Sequence, residues 1–146
     1  MNHKIMRIQE SEYLEVVTVW EASVRATHHF LDEADIAFYR PLILNEYLKM
    51  LELASIRNDN NEIMGFIGIA EDKLEMLFIH PDSRSKGIGK ELLRYAIEKM
   101  KVTKVDVNEE NEQAVGFYKY FGFITVDRSA IDGQGKAYPL LHMELE

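Results

Sequence analysis

The stretch KLEMLFIHPDSRSKGIGKELLRYAIEKM, residues 73–100, joins an apolar run, a proline, a basic turn with glycines at 87 and 89, and a helical pattern. The run from Lys73 to His80 reads as a strand. After it, Ile88, Leu92, Leu93, Ala96, Ile97 and Met100 recur at spacings of four and one, so a helix that buries one face begins inside the turn. Such a helix start leaves backbone N–H groups without intrahelical partners at the positive end of the helix dipole. Glycine lets the backbone come close to a ligand, and Arg84, Lys86 and Lys90 place cations around the rim. A phosphate or diphosphate uses all of these features. A plain strand-to-helix connection with solvated cations needs none of them, and the turn alone leaves both readings open. A dinucleotide fold would want a third glycine where Leu92 stands, and a P-loop would want Ser or Thr where Glu91 stands, so both of those fingerprints fail.

Upstream of this stretch, LELASIR and EIMGFIGIA flank the turn cluster Asn58-Asp59-Asn60-Asn61 and read as antiparallel strands that form a meander with residues 73–80. Residues 5–8 alternate as a short first strand. Between them lies an α-rich segment, with Ser11 placed as an N-cap and breaks expected near THHFLDE and near Arg40-Pro41. Downstream, KVDVN reads as a strand, NEQAVGFYKYF as a helix capped by Asn111, and FITVD and YPLLHMEL as strands. The predicted fold class is α/β: one domain over residues 1–146, with a mixed, mostly antiparallel seven-stranded sheet flanked by about four helices.

A chain of 146 residues is long enough to bury a core and short for two domains. Its net charge of -8 argues against nucleic acid or an anionic membrane as partner and favours cationic small molecules or basic peptides. There is no cysteine, which excludes disulfides, thiolate metal sites and cysteine nucleophiles. No segment has the length and apolarity of a signal peptide or a membrane span, so a cytoplasmic location is expected. No metal site is expected, because the adjacent His28 and His29 lack the spacing of a helical zinc pair.

Arg84, Gly87 and Gly89 match the pattern Arg/Gln-x-x-Gly-x-Gly/Ala, and the chain here resembles the GNAT superfamily of acyl-CoA-dependent N-acetyltransferases. LEMLFIHPD is similar to that family's fourth strand. Asn111, Ala114, Phe117, Tyr118, Gly122 and Phe123 match its N-x-x-A-x-x-F-Y-x-x-x-G-F block, so three blocks fall in the right order. Residues 20–31 and 135–141 also look similar to a bacterial subgroup of small acetyltransferases.

The resemblance implies acetyl-CoA as cosubstrate. It would be bound by Leu77, Phe78 and Ile79 of the fourth strand, by Arg84, Ser85, Lys86, Gly87, Ile88, Gly89 and Lys90 of the turn, and by Asn111 and Tyr118. The implied reaction is direct attack of a primary amine, from a small molecule or a peptide, on the thioester in a ternary complex. Tyr118 would protonate the thiolate and Glu75 would accept a proton, while a backbone N–H at a bulge in the fourth strand would stabilise the oxyanion. From helical spacing alone Tyr118 reads as a packing residue, and the family match reverses that. Glu75 reads equally well as an exposed strand carboxylate; one of His28 and His29 would be a second base by the same resemblance, while from the sequence alone either reads as a capping or packing histidine. By the same analogy Trp20, His28, His29, Phe30, Tyr39 and Tyr138 would wall the acceptor pocket. No acyl-enzyme is expected, since no serine sits in a recognisable nucleophile motif. A non-catalytic acyl-CoA sensor on the same fold is the alternative. Monomer and homodimer both fit the sequence.

Overall fold

A computed structural model describes residues 3–28, 31–132, 135 and 137–145. The strands are β1 (Ile5–Arg7), β2 (Glu52–Arg57), β3 (Ile63–Ala70), β4 (Lys73–Ile79), β5 (Lys104–Asn108), β6 (Phe123–Ser129) and β7 (Leu140–Leu145). They form one seven-stranded sheet in the order β1-β2-β3-β4-β5-β7-β6. Every neighbouring pair is antiparallel except β4 with β5. The helices are α1 (Tyr13–Thr27), α2 (Glu33–Leu42), α3 (Ile88–Lys99) and α4 (Glu112–Tyr120). The α/β class, the mixed sheet and the helix count agree with the sequence. Among the described residues no helix is long and apolar enough to cross a membrane.

Strand alternation divides the core between the two faces of the sheet. Ile67, Ile69, Leu74, Val105, Val107 and Met143 pack with Leu92, Leu93 and Ala96 of α3 and with Tyr118 of α4. On the opposite face, Leu53, Phe66 and Met76 pack with Val16, Val17, Trp20 and Val24 of α1 and with Ile36 of α2. β3 feeds both clusters, which explains why its sequence is almost uniformly apolar.

Two local details differ from the sequence expectation. Ser11 is not the cap of α1. A 3₁₀ turn at Glu10–Glu12 precedes the helix, closed by a capping box between Gln9 and Glu12, because the Glu12 carboxylate reaches back to the Gln9 N–H and Ser11 lies inside the turn. The helix also does not break at Pro41. α2 runs through it to Leu42, losing only the bond that the prolyl nitrogen would have given to the preceding turn, and a π turn follows at Ile43–Tyr47.

Glu12 has a second task. Its carboxylate takes two bonds from Arg57 of β2, at 2.5 and 3.0 Å, and so pins the entry of α1 to the sheet. The bonds from Arg57, helped by the Gln9 N–H, hold the Glu12 carboxyl at about 2, below its ordinary 4.5. A carboxyl with a depressed folded pKa contributes stability above its unfolded value and loses it as pH falls through the folded one. Urea melts of Glu12→Gln are therefore expected to show lower stability than wild type at pH 7. The acid limb between about pH 4.5 and 2 should also be shallower. An unchanged acid limb would mean that Arg57 does not hold this carboxylate.

The sheet opens where β4 meets β5. Their parallel pairing is confined to Lys73 with Lys104 and Leu74 with Val105, and beyond those pairs the strands diverge. Against β3, Leu74 faces Ile69 while Met76 faces Gly68, which leaves Glu75 as the extra residue of a β-bulge. The rest of β4 keeps β3 on one side and open space on the other.

Candidate functional site

A cavity of about 390 Å³ runs from the glycine turn along β4 to α4. A second, of about 200 Å³, lies in the gap between β4 and β5. They share His28, Leu77, Phe78, Asn111, Ala114 and Tyr118, so together they form one cleft through the opening in the sheet.

The first cavity is lined at one end by Arg84, Ser85, Gly87, Ile88, Gly89 and Lys90. Gly87 is the N-cap of α3 and has φ +77°, the left-handed region that a side chain disfavours, and Ser85 is left-handed as well at +65°. The first bond of α3 runs from the Glu91 N–H to the Gly87 carbonyl, so the N–H groups of Ile88, Gly89 and Lys90 have no partner within the helix. Among the described residues no side chain caps them. Arg84 reaches across the mouth and donates from Nη2 to Gln113 Oε1 of α4 at 3.3 Å, and the Lys90 ammonium stands 5.4 Å from the Tyr120 ring centre. Lys86 is exposed and lines neither cavity. The turn thus presents unpaired amides and cations to a space large enough for an extended ligand, which fits a diphosphate.

Along β4, Leu77, Phe78 and Ile79 line the first cavity. Tyr118 stands where the two cavities meet and is only 7 % exposed. Its ring lies edge-on to Phe117 and Phe123, with centres 5.5 and 5.7 Å away. Burial pushes its phenol well above the ordinary tyrosine range. None of the hydrogen bonds found among the described residues involves its hydroxyl, and no buried side-chain oxygen or nitrogen lacks a partner, so the hydroxyl opens onto the cleft.

Asn111 caps α4, its Oδ1 accepting from the Ala114 N–H at 3.2 Å. Its Nδ2 lies 3.1 Å from His28 Nε2, while His28 Nδ1 lies 2.7 Å from Thr27 Oγ1. Thr27 spends its own hydrogen on the Ser23 carbonyl, and an amide nitrogen can only donate. The arrangement consistent with all three bonds is a neutral His28 with the hydrogen on Nδ1. The end of α1 is thereby tied across the cleft to the start of α4.

Glu75 lines the second cavity from the bulge, with Oε1 3.7 Å from the Lys73 ammonium. Trp20 lines neither cavity. It is 4 % exposed within the α1 core, because it falls on the face of α1 that also carries Val16 and Val24. Tyr138 also lines neither, and its hydroxyl donates to Asp35 of α2, just as that of Tyr39 donates to Asp132. These two bonds tie α2 to the connection between β6 and β7. His29 and Phe30 lie outside the described residues.

Sequence reasoning overlooked a polar chain on the other side of the gap. Asp106 of β5 lines the second cavity opposite Glu75 and binds Lys73 Nζ at 2.5 Å through Oδ2. Its Oδ1 lies 2.7 Å from Nδ1 of His142 on β7, and His142 Nε2 lies 2.6 Å from Ser129 Oγ on β6. The one available signal was alternation within KVDVN and LLHMEL, which sets Asp106 and His142 opposite the buried valines and Met143.

The acetyltransferase (GNAT) domain profile matches residues 32–146. The chain is 39% identical over 139 residues to peptidyl-lysine N-acetyltransferase YjaB of Salmonella typhimurium, covering 95% of each chain. The solution structure of apo-form YjaB from Escherichia coli superposes with a TM-score of 0.86 at 37% identity, over 99% of this chain and 97% of that one. The PaiA N-acetyltransferase of Thermoplasma acidophilum, solved in complex with coenzyme A, shares the fold at a TM-score of 0.76 and 19% identity, over 100% of both chains. The subgroup that residues 20–31 and 135–141 resemble is the one YjaB typifies.

Proposed function

Because this chain belongs to the GNAT acetyltransferase family, we propose that it moves acetyl from acetyl-CoA to the side-chain amine of a lysine in a peptide or protein, by direct attack in a ternary complex. The observation that carries the reading is the continuous cleft, with unpaired turn amides at one end and the Tyr118 hydroxyl where it passes through the sheet. The peptidyl-lysine activity in the name of the YjaB relatives supports a peptide acceptor over a small molecule.

In this reading the N–H groups of Ile88, Gly89 and Lys90, with Arg84, hold the diphosphate. The unpaired edge of β4 from Leu77 to Ile79 takes the pantetheine arm as an added strand would be taken. The acceptor amine enters from the side of Glu75 and Asp106. An alkyl ammonium has a pKa of about 10.4, so it gives up a proton before it attacks, and Glu75, which lines the second cavity, is the carboxylate this reading assigns to receive it. A backbone N–H at the bulge steadies the oxyanion. Tyr118, held protonated by burial, donates to the departing sulfur.

The test is incubation with acetyl-CoA and a lysine-containing peptide, following thiol release and peptide mass together. One acetyl group gained per thiol released is expected. Tight binding of acetyl-CoA with no thiol release for any amine would favour a sensor on this fold, and failure to bind acetyl-CoA would overturn the reading of the cleft itself.

A further inference from the structure

Where β4 meets β5, the chain already seats one lysine. Lys73 Nζ lies 2.5 Å from Asp106 Oδ2 and 3.7 Å from Glu75 Oε1, so a single ammonium reaches carboxylates on both strands. Partial burial alone would push the Lys73 ammonium below its usual range, but the bond to Asp106 and the charges of Asp106 and Glu75 outweigh it and hold it above that range. The pair of carboxylates therefore favours a lysine in its charged form. Asp106 is also fixed in orientation, because His142 Nδ1 lies 2.7 Å from its Oδ1, and this leaves Oδ2 to the ammonium.

The same two carboxylates line the second cavity from opposite sides of the gap, whereas Lys73 lines neither cavity. Among the described residues they are the only Asp, Glu, Lys or Arg side chains on that wall. Two carboxylates against one ammonium leave negative charge facing the space. A second, independent feature points to a ligand there. Tyr118 is 7 % exposed and lines the same cavity, yet none of the hydrogen bonds found among the described residues uses its hydroxyl. An acceptor that reaches Tyr118 through this cavity passes between Glu75 and Asp106.

We propose that Asp106, with Glu75 across the gap, is the seat for the ammonium of the acceptor lysine, and that Asp106 sets the preference for a cationic acceptor. This deepens the function proposed above and rests on it. A carboxylate offers about four lone-pair sites, so the incoming ammonium can donate to those that Lys73 and His142 leave unused. Lys73 is then a competitor for the seat, built into β4. Asp106 acts in binding, while the proton that the ammonium gives up goes to Glu75. Acetyl transfer turns the acceptor into a neutral amide, which has no charge for the seat to hold. The reaction itself thus lowers the affinity for its product.

The experiment is calorimetric binding of a lysine peptide, and of the same peptide carrying acetyl-lysine, to the CoA-saturated protein, with KM and kcat for the lysine peptide measured beside it. The wild type should bind the lysine peptide more tightly than the acetylated one. Asp106→Asn should weaken the lysine peptide about tenfold or more and raise KM more than it lowers kcat, with the acetylated peptide and acetyl-CoA bound as before. Asp106→Glu should recover part of the loss. Lys73→Met removes the resident ammonium and keeps both carboxylates, so it should tighten the lysine peptide several-fold, and it carries the test if Asp106→Asn does not fold. Glu144→Gln removes the same charge from β7 outside both cavities and should leave peptide binding unchanged. Equal weakening of both peptides in Asp106→Asn marks a structural role and overturns the proposal. So does an equal loss in Glu144→Gln, or weaker binding of the lysine peptide in Lys73→Met. A wild type that binds acetyl-CoA and acetylates no amine overturns this inference together with the reading it rests on, whereas an active wild type whose Asp106→Asn variant keeps its affinity for the lysine peptide overturns this inference only.

Discussion

Replacing Tyr118 with phenylalanine is expected to lower kcat about 10²- to 10⁴-fold, the range for losing a positioned proton donor, and to leave acetyl-CoA affinity almost unchanged. The substitution is clean because the two functions of this side chain separate by atom. The ring supports the core, edge-on to Phe117 and Phe123, and phenylalanine keeps that packing. The hydroxyl faces the junction of the two cavities and makes no bond to the protein whose loss would unsettle the fold. Burial raises the phenol well above its ordinary value of 10.0, so its ionisation should leave no limb in the rate profile at or below about pH 10. A limb near neutrality must then come from a base, which is how the acid and base assignments are kept apart. Thiol release gives the rate and calorimetry gives the affinity. A full rate in Tyr118→Phe would remove the proposed acid, and lost affinity would make Tyr118 a binding residue.

The parts of the site legible in the sequence are those written in consecutive residues. A helix start needs only local spacing to be seen, and the turn from Arg84 to Lys90 lies where that spacing put it, against the cleft, with Lys86 alone turned outward. The Asn111 cap and the helix it opens were local in the same sense. The chain of Asp106, His142 and Ser129 was invisible because each residue reads as an ordinary polar position of its own strand. Only the pairing of Asp106 with His142, and of Ser129 with Leu140, brings them together, and that order is set by a sheet in which β7 lies between β5 and β6. Trp20 shows the opposite failure. Family analogy put it on a pocket wall, but it falls with Val16 and Val24, at spacings of four, on the buried stripe of α1. Local periodicity was the better guide there.

Substituting Gly87 with glutamate is expected to weaken acetyl-CoA binding about 100-fold or more, the largest binding effect anticipated for a single residue of the turn. The backbone there has φ +77°, so any side chain carries strain of order 1–3 kcal/mol. A Cβ at this position would meet nothing within 4 Å, so the strain is not compounded by a clash and the variant should fold. The larger effect is electrostatic. A carboxylate at the N-cap of α3 sits at the positive end of the helix and can take bonds from the same N–H groups that are to hold the diphosphate. The variant would therefore fill the anion site with its own anion, and the ligand would meet like charge where it should meet unpaired donors. Losing roughly 3 kcal/mol of charge-assisted contact corresponds to about a 100-fold rise in Kd. Gly87→Ala carries the strain without the charge and should lose much less. Arg84→Ala removes one charged contact and should cost about tenfold. The salt dependence separates these causes, because added salt screens the glutamate's repulsion and leaves the alanine strain untouched. If Gly87→Glu binds acetyl-CoA as the natural protein does, the diphosphate does not lie on this turn, and the anion site read from Arg84, Gly87 and Gly89 has to be sought elsewhere along the cleft.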